Sequence, residues 1–167
     1  MNLEDYISIL EKQESLLHFS SFNRKEAWEL GQLMVSAIMQ KNLKLAASIR
    51  LSSGLVLFQH TPEGTTINNQ RWMIRKSNVV RDWEVSSLHA ILIFKKGNRS
   101  LHDFGLETKD YALRGGGFPI HVSGIGVIGA VAVSGQPHLE DHDFIVESLG
   151  RFLKVQGLPK FPTDADL

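Results

Sequence analysis

Gly124-Ile125-Gly126-Val127-Ile128-Gly129-Ala130-Val131-Ala132-Val133-Ser134-Gly135, followed at once by Gln136-Pro137-His138-Leu139-Glu140-Asp141-His142-Asp143, decides how the chain folds. Its first half contains Gly124-x-Gly126-x-x-Gly129, letter for letter a dinucleotide-binding turn. That turn works only between a strand and a helix whose first amides face a pyrophosphate. No convincing strand ends just before Gly124, and the β-branched, period-two run Ala130 to Ser134 reads as a strand. The glycines are therefore assigned to a turn and a strand start where another backbone packs close, and Ser134 to a strand end. The second half opens a helix. Pro137 suits the first helical position, Gln136 is the expected cap, and Glu140, Asp141 and Asp143 place negative charge near the positive end of the dipole. Phe144, Ile145, Leu149, Phe152 and Leu153 then form one apolar stripe, with the helix expected to end near Gly157.

Working outward, residues 3 to 17 form an acidic amphipathic helix with Leu3, Tyr6, Ile7, Leu10 and Leu17 on its apolar face, suited to packing on the body or on a neighbouring subunit. Asn23 and Glu26 imitate a capping box, and Trp28, Leu30, Leu33, Met34, Ala37, Ile38 and Met39 make the next segment the principal core helix. Lys44 to Leu51 and Leu55 to Phe58, separated by Ser52-Ser53-Gly54, read as a hairpin. Asn68 to Lys76 reads as a helix that extends towards Trp83 with an irregularity near Ser77-Asn78. Ser86 to Lys95 fits helix or strand, Asp103 to Leu113 is assigned as helical, and the tail from Leu158 is expected to be extended and poorly ordered. The expected organisation is an N-terminal helical extension over 1–20, one α/β domain over 21–157 and a C-terminal tail over 158–167, the domain being an antiparallel sheet flanked by helices.

Composition narrows the function classes. The 167 residues are 43% hydrophobic and 22% charged, ordinary for one globular domain. Eighteen basic against eighteen acidic residues leave no net field to collect nucleic acid or an anionic membrane, and nothing in that balance opposes self-association. The absence of cysteine excludes disulfides and thiolate chemistry. No apolar run approaches the ~18 residues of a membrane span, and the first residues lack signal-peptide character, so the cytoplasm is the expected compartment.

Phe118-Pro119-Ile120, the glycine-bounded strand 126–135 and the Pro137-x-x-Glu140-Asp141-His142-x-x-Val146-Glu147-x-Leu149 helix resemble the haem-degrading domain family of GlcG-like and HbpS-like proteins, most closely its stand-alone branch. Arg71-Trp72-x-x-Arg75-Lys76-x-Asn78-Val79-Val80 fits the same branch. The resemblance covers about residues 20 to 155. It implies a profilin-like α/β sandwich, a homo-oligomer, and binding of haem or another small anionic ligand in an accessory or sensory role. An enzyme that degrades haem or a related molecule is inherited from the family's name alone, and the competing class is an interaction or assembly module without a small ligand.

Candidate ligand-binding residues lie in the same two motifs. Arg71 and Arg75, four apart, share a helical face on which two guanidinium groups can grip a carboxylate or phosphate, with Trp72 and Lys76 as a second such pair beside them. The bland alternative is a solvated face anchored by an aromatic. The Arg75-Lys76 pair and the amides of Gly115, Gly116 and Gly117 are the natural anion-facing groups, with Phe118 adjoining them. The resemblance adds Asp141 and His142, though it implies a histidine or small residue where Arg114 stands. Haem iron would need an axial ligand, and sequence does not choose among His18, His60, His89, His102, His121, His138 and His142. His138 and His142 are spaced to share a face, yet His-Leu-Glu-Asp-His is no zinc motif, and no metal is assigned. No Gly-x-Ser-x-Gly and no phosphate-binding loop is present.

Overall fold

Strands β1 (Ala46–Leu51), β2 (Val56–His60), β3 (Gly117–Val122) and β4 (Gly126–Ser134) form one antiparallel sheet of order β2-β1-β4-β3 in the computed structural model, which describes residues 1–167. Period-two side-chain alternation sorts its two faces. Ala47 and Ile49, Phe118 and Ile120, and Val131 and Val133 point to one side, where Leu30, Met34 and Ile38 of α2 (Arg24–Gln40) meet Ile145 and Leu149 of α5 (His138–Leu153) in the main core. Ala46 and Ala132 point to the other, against Met73 of α3 (Ile67–Trp83). The sheet is thus sandwiched between α2 with α5 and α3.

A strand does precede Gly124. β3 ends at Val122, and the glycines turn it into β4 as a hairpin, so the run opens a strand rather than a phosphate-binding helix. Gly129 has a steric reason to be glycine, since a Cβ there would collide with the Arg50 carbonyl oxygen on β1. The cap of α5 is Pro137, not Gln136, and the helix stops at a left-handed Lys154 (φ 55°), short of Gly157. α3 runs without interruption through Ser77 and Asn78.

The ambiguous segment is helix α4 (Ser87–Lys96), started by Ser86, whose Oγ accepts the His89 N–H at 3.1 Å. Residues 103–113 do not form the expected helix. A short 3-10 turn, Leu101–Phe104, ends in left-handed Gly105 (φ 70°), and the loop beyond is tied to α3, with Asn78 Nδ2 donating to the Asp110 carbonyl at 2.8 Å.

Helix α1 (Leu3–Leu16) packs on its own chain: Ile7 and Leu10 meet Leu88, Leu92, Leu139 and Phe161. Phe161 is only 1% exposed and Gln13 Nε2 donates to the Pro159 carbonyl at 2.8 Å, so the irregular tail is held down rather than loose. Two residues expected in the core are outside it, Trp28 at 57% and Met39 at 70% exposure. No helix is long and apolar enough to cross a membrane.

Candidate functional site

One aromatic side chain, Trp72, divides two concavities beside α3. The Arg75 guanidinium carbon lies 4.1 Å from the Trp72 ring centroid, a cation–π stack. Arg75 also donates to the Arg71 carbonyl at 3.3 Å and to the Thr108 carbonyl at 3.2 Å, which ties α3 to the irregular loop.

On the loop side lies a trough of about 840 Å³. Trp72, Leu101, Leu106, Tyr111 and Leu113 give it apolar wall, while Arg75, Arg99, Lys109 and Arg114 face it against one acid, Glu107. Lys109 and Glu107 form an exposed 3.3 Å pair, leaving three arginines as the excess positive charge. The wall is rigid because Tyr111 donates its hydroxyl to Asp82 at 2.6 Å and accepts from Arg81 at 2.9 Å, over a small core of Val79, Ala90 and Phe94.

On the other side of Trp72, and sharing Arg114, is a polar cleft of about 310 Å³. Lys76 Nζ at its floor donates to Asp141 Oδ2 and to the Val133 carbonyl, both at 2.9 Å. Lys76 is 3% and Asp141 2% exposed, so the lysine expected to face an anion is a buried partner of the carboxylate. Burial pushes the ammonium's pKa down and the carboxyl's up, and each partner's charge pulls back. Gly116 (φ 111°) makes room for the pair, since a Cβ would press on Lys76 Nζ and Asp141 Cβ.

The amides of Gly115 and Gly117 have protein partners. Gly115 N–H donates to His138 Nδ1 at 3.1 Å and Gly117 N–H to Ser87 Oγ at 2.9 Å. Phe118 is buried in the main core, outside both concavities. His142 is buried as well, its Nε2 donating to Gln13 Oε1 at 2.8 Å, and desolvation pushes its pKa down to about 3, so the ring is neutral. Arg71 flanks the trough beside Ile74 and Lys109. The structure thus brings Arg75, Lys76 and Asp141 to the two concavities and separates Phe118 and His142 from them. Sequence reasoning missed Arg99, Lys109 and the apolar residues between them. Cations interleaved with Leu101, Leu106, Tyr111 and Leu113 were the available signal, obscured by the helical assignment of that stretch. No three His, Asp or Glu side chains gather as a metal site.

A family model described as "Haem degrading protein HbpS-like" matches residues 22–149, which takes in the polar cleft and the trough walls. A UPF0303 protein of Serratia proteamaculans is 40% identical over 154 residues, spanning 92% of this chain and 95% of its own. The crystal structure of Ybr137w protein superposes with a TM-score of 0.80 at 28% identity, over 93% of this chain and 90% of that one. That of the PduOC:heme complex superposes with a TM-score of 0.65 at 16% identity, over 79% and 94%, a likeness of fold.

Proposed function

The chain belongs to the HbpS-like family of haem-degrading proteins, and from that premise we propose that it is a cytoplasmic homo-oligomer that binds a small amphipathic anion in the trough, with haem as the candidate. The observation that carries this reading is the pairing of apolar walls with three uncompensated arginines in one concavity of about 840 Å³, a size suited to a small-molecule ligand. A flat apolar macrocycle would lie against Trp72, Leu101 and Leu113. Its carboxylates would meet Arg75, Arg99 and Arg114, and His102 is the histidine in the lining that can offer iron an imidazole nitrogen. The fold is shared with a protein solved as a heme complex. Haemin titrated into the protein should give a saturable one-to-one absorption change, and Arg75→Ala with Arg99→Ala should weaken it by at least about tenfold. A nonsaturating response in the unmutated protein would overturn the reading. Turnover is a separate question, answered by product formation with a reductant and oxygen.

A second surface supports the oligomer. Trp28, Gln32, Val35, Ser36 and Met39 form an uncharged stripe along α2, and with Phe58, Gln59 and His60 of edge strand β2 they line a groove of about 470 Å³. Across a two-fold axis each copy would offer both a Trp28 knob and a groove without Lys, Arg, Asp or Glu to receive its mate, so none of those charges would be desolvated. Of the two packings open to α1, body or neighbouring subunit, it takes the first, with Ile7 and Leu10 spent on its own chain. Light scattering at micromolar concentration should give at least a dimer mass. Trp28→Ser should reduce that mass while changing monomer stability by less than about 1 kcal/mol, since the site is on the surface. A monomer mass for the unmutated chain would contradict the assembly.

A further inference from the structure

The polar cleft has a hydrogen-bond imbalance that the trough reading does not use. Arg114, exposed at its rim, makes no hydrogen bond or ion pair within the chain. Because the Gly115 N–H donates to His138 Nδ1, the neutral imidazole carries its hydrogen on Nε2, which has no protein acceptor. A lysine ammonium has three hydrogens, and Lys76 places two, on Asp141 and on the Val133 carbonyl. Both oxygens of Asp141 already accept, Oδ2 from Lys76 and Oδ1 from the Gln136 N–H at 3.1 Å. The cleft therefore has surplus donors from three separate elements. Against them stands one orphaned acceptor, Gln136 Oε1, buried without a partner.

We infer that this cleft is a second binding site, for a compact oxyanion, held by the Arg114 guanidinium, His138 Nε2–H and the free hydrogen of Lys76. Its formal charges sum to a single positive one, since Lys76 and Asp141 cancel and Arg114 remains, and the N-terminus of the sixteen-residue α5 adds its dipole. The walls are polar apart from Trp72, which suits a hydrated small anion rather than a macrocycle. Three donors arriving from separate segments favour one source of the oxyanion. A tetrahedral phosphate has an oxygen for each of them, whereas a carboxylate has two oxygens in one plane. Arg114 also lines the trough, so the phosphate titration is made without haemin, and His138 and Lys76, which line the cleft alone, carry the distinction between the two sites.

The test is a side-chain NMR titration of the His138 imidazole in the full chain with inorganic phosphate, and separately with propionate, at neutral pH and constant ionic strength set by chloride. A saturable shift with phosphate is expected, with millimolar or tighter affinity, and propionate should bind more weakly. Arg114→Ala, which removes no internal contact, should weaken phosphate at least about tenfold. Preference for propionate would support the site and assign it to carboxylates. A shift that stays linear in both anions, or one unchanged by Arg114→Ala, overturns the inference. Haemin binding measured on separate aliquots is a separate readout, so loss of the trough reading and loss of this one are distinguishable.

Discussion

Lys76→Met is expected to destabilise the fold by about 3–5 kcal/mol, because it strands the Asp141 carboxylate at 2% exposure without its cation. The size of the effect comes from the partner left behind rather than from the attraction removed. Lys76→Met combined with Asp141→Leu should therefore recover part of the loss, since no buried charge remains. Recovery should be incomplete. Asp141 also accepts the Gln136 N–H ahead of α5, and an unpartnered buried amide costs about 1–3 kcal/mol. Urea unfolding of the single and double variants, with slopes compared to verify two-state behaviour, measures both numbers. A single variant within about 1 kcal/mol of the unmutated protein would mean that the pair does not act as a buried unit.

Acid should weaken the protein through its desolvated histidines, His18, His138 and above all His142. His142 is packed beside Phe118 of β3 and Phe161 of the tail, bonded to Gln13 of α1, with Nδ1 unpartnered. Its pKa is about 3 in the folded chain against 6.5 for a solvated histidine. Between those values the unfolded chain binds the proton and the folded one does not. The contribution of neutral His142 is thus fully present above pH ~6.5 and falls by roughly 1.4 kcal/mol per unit as pH drops towards ~3. The charged and titratable neighbours are His138 on its own helix, His89 on α4, and Glu14 on α1, which is 2.9 Å from His89. His142→Gln removes the titrating ring, so the difference between the two stability curves isolates it from the carboxylates. Parallel curves from pH 7 to 4 would show that the ring is not buried in solution.

Strands β1, β2 and β4, helix α3 and the start of α5 were legible in the sequence because local signals agreed there, whereas β3, with Pro119 inside it, was missed. Period-two apolar residues, turn glycines and acidic residues at a helix start all pointed one way. What failed was partnership at a distance. Lys76 looks like any solvated lysine until the fold brings in Asp141, 65 residues away, and His142 resembles a surface histidine until Gln13 arrives from 129 residues off. In α2 the apolar residues occupy two stripes, one on the sheet and one on the outside, and periodicity assigned Trp28 and Met39 to the core with the rest. The trough wall was hidden for another reason: Gly105 and the carbonyl bonds from Arg75 and Asn78 shape residues 105–114 as a loop with no repeating pattern. Arg114 could be quoted from the sequence, but its position between two concavities could not.

The claim that the trough takes an amphipathic anion is tested most directly by mapping where ferric haemin broadens backbone amide resonances, since the paramagnetic iron reports its own position. One equivalent of haemin should broaden the amides of Trp72, Leu101, His102, Leu106, Tyr111 and Leu113 and leave the α2–β2 face sharp. Broadening centred on Trp28 and Phe58, or spread evenly over the surface, would contradict it.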